Sequence, residues 1–126
     1  MKVTQKRMST VIDGMLVSFI SNNVLAPYDG SGTPAGIAQK CRELIVQNDP
    51  EQPAETIAVC ELVLAGSCEL LVDSEISSLG GEVGASATAG YLTSGATPTL
   101  ARVTPRAWSD ITPQSAGLVS AILTLN

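Results

Sequence analysis

The chain has 126 residues, 44% of them apolar, which is enough for a packed core and points to one folded domain rather than a disordered segment. Seven basic residues against twelve acidic ones give a formal net charge of −5, so no nucleic acid is expected as a partner, because phosphate binding needs clustered Lys and Arg. There is no histidine, the commonest general base and metal ligand. The four aromatics (Phe19, Tyr28, Tyr91 and Trp108) leave the core to Val, Leu, Ile and Ala, whose small buried areas favour an oligomer or support from a partner surface.

Residues 1–10 carry no hydrophobic periodicity and are expected to form a flexible N-terminal arm, with 11–126 as a single β-rich domain. Lys2, Lys6 and Arg7 all precede the first acid, Asp13. A basic arm docking on an acidic neighbour and a frayed, solvated terminus both fit this pattern. Residues 11–20 are apolar around Asp13-Gly14, which favours a hairpin or strand edge over a helix. The apolar stretch 15–20 is too short for a signal peptide, and no run is long enough to span a bilayer, so no membrane partner is expected and synthesis is expected in the cytoplasm. Ser21-Asn22-Asn23 reads as a turn, and Val24-Leu25-Ala26 as the next strand.

That strand runs into Tyr28-Asp29-Gly30, where an acceptor side chain is followed by a residue free to take positive φ. Pro27 and Pro34 bracket the loop, and the chain resumes at Gly36-Ile37-Ala38, so the stretch carries a hairpin signal. Residues 37–46 match a helix through Ala38, Cys41, Leu44 and Ile45, and a strand face through Ala38, Leu44 and Val46; strand is preferred. Residues 47–55, with two prolines, form an exposed loop. Residues 56–64 are a strand, turned by Ala65-Gly66-Ser67 into 68–72, the clearest hairpin signal in the chain. From 73 to 99, Ser, Gly, Ala and Thr dominate, with weak strands near 83–87 and 90–93. Residues 100–103 form a strand, 105–108 a turn whose Trp108 covers one end of a barrel, 113–117 another turn, and 118–125 an alternating final strand. No internal repeat stands out. Many short strands between Gly/Pro turns imply a small, mainly β, antiparallel barrel or sandwich with long loops.

Little in this pattern supports catalysis. The spacing of Cys41, Cys60 and Cys68 matches no zinc site; free buried thiols are expected, with a Cys60–Cys68 bridge across the 56–72 hairpin as the alternative. Glu61 and Glu69 on that hairpin read as solvated rather than as an acid/base pair. Asp73-Ser74-Glu75 lacks the rest of a calcium loop, and Gly80-Gly81-Glu82-Val83-Gly84 lacks the Lys-Ser/Thr of a phosphate loop. No enzyme activity and no cofactor or metal is expected.

The stretch containing Leu25, Ala26, Tyr28, Asp29, Gly30, Ala35, Gly36 and Ile37 resembles the core segment of lambdoid phage head-decoration proteins, and Ala116–Leu125 is similar to the closing strand of small phage head proteins. The resemblance implies a β-tulip-like capsid-stabilising protein on the virion surface. It would sit as a homotrimer at three-fold positions and bind the major capsid protein. It makes residues 1–10, with Lys2, Val3, Lys6 and Arg7, the candidate capsid-binding arm, and Tyr28, Asp29, Gly30 and Gly36 the fold-defining turn. The alternative is a head-fibre or surface β-barrel module that recognises host glycans.

Overall fold

The computed structural model describes residues 2–47, 49–76, 81–104 and 117–125, and among them every regular element is a strand. In chain order these are β1 (Lys2–Arg7), β2 (Leu16–Phe19), β3 (Val24–Pro27), β4 (Gly36–Val46), β5 (Glu55–Val63), β6 (Gly66–Val72), β7 (Glu82–Ala85), β8 (Leu92–Ser94), β9 (Ala101–Val103) and β10 (Gly117–Leu123). They form two sheets of five strands, each closed on itself, which removes most of the unpaired strand edge an open sheet would expose.

The two barrels share one wiring. Around the first, the order is β1-β3-β2-β4-β5; around the second, β6-β8-β7-β9-β10. In each, the first strand runs parallel to the third. All other pairings are antiparallel. The chain is therefore a tandem repeat of one topology. The repeat is hidden in the sequence because matching strands differ in length: β4 has 11 residues, whereas its counterpart β9 has 3.

Alternation explains which side chains fill the barrels. On β6, Cys68, Leu70 and Val72 are buried and Glu69 is exposed. On β10, Val119, Ala121 and Leu123 turn inward while Leu118 and Ile122 face out. Among the described residues no polar or charged side chain is buried, so the core is made of small aliphatics with Met15, Tyr28, Cys60 and Cys68. One core cluster gathers Leu16, Tyr28, Ile37 and Val63 of the first barrel with most of the interior of the second.

Several local expectations are corrected. The basic N-terminal residues are not a free arm: they form β1, paired along its length with β5 from Lys2↔Val63 to Lys6↔Val59. The 56–72 hairpin does not exist. β5 is flanked by β4 and β1, and β6 by β10 and β8, so Ala65-Gly66 links two barrels instead of turning a ribbon back on itself. β3 and β4 are likewise not hairpin partners, because β2 lies between them. The strand reading of residues 37–46 holds, as do the turn at Asn22-Asn23, where both residues take positive φ, and the alternation of the last strand. The expected turn at 105–108, with Trp108, and most of that at 113–117 lie outside the described residues.

Candidate functional site

The Tyr28-Asp29-Gly30 turn sits where the two barrels meet. The Leu16 N–H donates to the Gly90 carbonyl (2.9 Å), the Gly90 N–H donates to the Tyr28 carbonyl (3.0 Å) and the Leu71 N–H donates to the Gly14 carbonyl (2.8 Å). These bonds carry the backbone from one barrel into the other. Gly90, at φ +83°, is packed tightly enough that a Cβ would lie 3.0 Å from the Met15 sulfur. The Tyr28 ring is buried, and its hydroxyl donates to the Gly32 carbonyl (2.8 Å). Asp29 accepts from both the N–H (2.9 Å) and the hydroxyl (2.6 Å) of Ser31, which holds its carboxyl below the ordinary carboxylate range. Gly30 supplies φ +94°, and a Cβ on Gly36 would fall 2.3 Å from the Val63 carbonyl oxygen. Tyr28, Asp29 and Gly30 lie in the connection from β3 to β4, and Gly36 opens β4.

The fold sets Cys41 beside Cys60, next to Asp13 and Arg7, and leaves Cys68 apart. Cys60 and Cys68 belong to different core clusters, and all three cysteines are free. Burial, reinforced by Asp13, pushes the Cys41 thiol up to about 12; burial alone pushes Cys68 up to about 11. Neither is a nucleophile near neutral pH. Glu61 lies 3.6 Å from the Lys40 ammonium, while Glu69 is exposed on the other barrel, so the two carboxylates do not pair. Asp73 accepts a hydrogen bond from Ser86 rather than joining a cation loop. Among the described residues no group of three or more His, Cys, Asp or Glu is placed to hold a metal. Gly84, within β7, makes room for the Ala96 and Pro98 carbonyls, which a Cβ would meet at 2.6 Å.

What remains is surface. Lys2, Val3 and Lys6 are exposed on β1. Arg7 is committed inward: its guanidinium donates to the carbonyls of Val59 (2.9 Å), Val11 (3.3 Å) and Arg42 (3.2 Å). From this half-buried position it braces the barrel wall. A broad groove of about 510 Å³ runs along the seam, lined by Arg7, Ile12, Asp13, Cys41, Leu71 and Leu118 among others.

The feature that sequence reading missed is the far half of the β4–β5 pair. Pairing runs from Arg42↔Val59 to Val46↔Glu55, past a bulge at Lys40-Cys41 where Lys40 takes φ +50° and the Cys41 N–H is held by Asp13 (2.8 Å). Beyond the bulge the ribbon leaves the barrel, and Leu44 (41% exposed) and Ile45 (77%) stand in solvent. The alternating charges of Lys40, Arg42 and Glu43 are the signal that this half is solvated.

No protein-family model matches the chain, and no curated protein matches it. Among solved structures, the chain matches the N base of the head fiber gp8.5 of bacteriophage phi29, with a TM-score of 0.61 over 98% of this chain and 93% of that one. The fold is shared with a phage head-fibre base. At 12% sequence identity the likeness is one of fold, and it lies with a head-fibre base rather than with the lambdoid decoration proteins that the turn residues resemble.

Proposed function

We propose that this chain is a structural protein attached to a phage head, the base of a head fibre or a related surface fitting. The observation that carries the reading is the match in fold over nearly the whole of both chains. Two closed barrels with an aliphatic core suit a part that holds other parts in place. The expected partner is the major capsid protein, with the virion surface as the location. Trimers at three-fold positions that stiffen the shell, as decoration proteins do, are the finer form of the same reading.

A head-fibre module that recognises host glycans is the second reading, and the match to a head-fibre base supports its head-fibre part. Tyr28 is buried with its hydroxyl already bonded, and Tyr91 is half-buried against the core, so neither offers an open stacking face.

The test is co-sedimentation of purified protein with mature, DNA-filled or emptied heads that lack it. Saturable binding at a fixed number of copies per head is expected. Absence of binding would overturn the proposal. Heat challenge of the loaded heads then separates the two forms: a cement raises their resistance, whereas a fibre base binds without raising it.

A further inference from the structure

The β4–β5 ribbon and the start of β1 are complementary unpaired elements. Among the described residues the ribbon beyond Arg42↔Val59 is only two strands wide, since β2 pairs with β4 at Gly36 and Ile37 and β1 pairs with β5 no further than Val59. Two isolated strands are marginal in water, and Ile45, 77% exposed, gains nothing from its own barrel. At the opposite end of β5, residues 2–5 of β1 pair with β5 on one side only, because β3 reaches β1 only at Lys6 and Arg7. Among the described residues nothing pairs with the other edge. That edge carries Lys2 and Val3 (37% exposed), with the exposed Lys6 just past its end.

Charge selects the occupant. Residues 42–58 hold one basic side chain, Arg42, against Glu43, Asp49, Glu51 and Glu55, whereas β1 presents the exposed Lys2 and Lys6 and no acid. A lysine-guarded edge repels most strands but accepts an acidic one. The geometry points to a head-to-tail contact between copies of this chain, in which the acidic ribbon of one copy lies along the basic open edge of β1 in the next and buries Ile45 against Val3. Because the two elements differ, the contact is heterologous, and it propagates until the copies close into a ring. It does not rest on the head-attachment reading.

The test uses the full-length protein in solution, without capsids, so the two readings fail separately. Sedimentation velocity over a concentration series should show a discrete assembly that weakens as salt is raised. Ile45→Asp should abolish the assembly without shifting the melting temperature. Lys2→Glu/Lys6→Glu and Glu43→Lys/Glu55→Lys should each weaken it by more than about tenfold. Mixing those two charge-reversed proteins should restore a mixed assembly. A wild-type chain that stays monomeric throughout, an assembly unmoved by these substitutions, or a mixture that fails to associate would overturn the proposal.

Discussion

Gly36 and Gly30 stand at the two ends of the crossover into β4, yet they are glycine for different reasons. A Cβ on Gly36 would lie 2.3 Å from the Val63 carbonyl oxygen, and that oxygen belongs to the strand next door, which cannot retreat without unpairing. Gly36→Ala is expected to destabilise the fold by about 3 kcal/mol, read from urea melts. Gly30 has nothing within 4 Å of such an atom and needs only its φ of +94°, so Gly30→Ala should cost about 1 kcal/mol. The thiols set an alkaline limit. A thiol whose ionisation is raised by folding gives up its proton more readily once unfolded. Its contribution is therefore intact below the ordinary value of 9.0 and is lost as pH climbs toward about 11 for Cys68. Urea midpoints measured upward from pH 9 should fall, and Cys68→Ala, though less stable throughout, should fall less steeply.

At the scale of elements, the bulge at Lys40-Cys41 decides where β4 leaves its barrel. Lys40 holds φ +50°, a region that β-branched side chains resist. Lys40→Val should therefore be less stable than Lys40→Gly by about 1–2 kcal/mol, by thermal melt of the two variants. The strands themselves were legible where burial enforces alternation, as in 118–125, or where β-branched residues run together, as in 56–64. Pairing was not legible. Ala65-Gly66-Ser67 has the composition of a hairpin turn, but composition does not say whether the next strand returns to its neighbour or departs to another sheet. Tyr28-Asp29-Gly30 was visible as an ordered connection, yet its place on the inter-barrel seam depends on Gly90, some sixty residues away, which local pattern cannot reveal. The ribbon was missed because Leu44, Ile45 and Val46 fit a helix stripe or a strand face equally, and only the barrel's closure elsewhere leaves Leu44 and Ile45 in solvent.

For the whole molecule, the shared core matters more than the count of barrels. Leu16 belongs to the first barrel, is fully buried, and packs in one cluster with Val72, Val83 and Leu92 of the second. Leu16→Ala should lower stability by about 2–5 kcal/mol while preserving a single unfolding transition. Calorimetry showing two separated transitions would contradict that coupling. The repeated wiring has one more result. Each barrel is woven from an unbroken length of chain, and the exposed Ala65 is the hinge pin between them. A single proteolytic nick there severs no interstrand pairing, so the two fragments should stay clasped as a non-covalent pair in native mass spectrometry, and separately made halves should find each other when mixed.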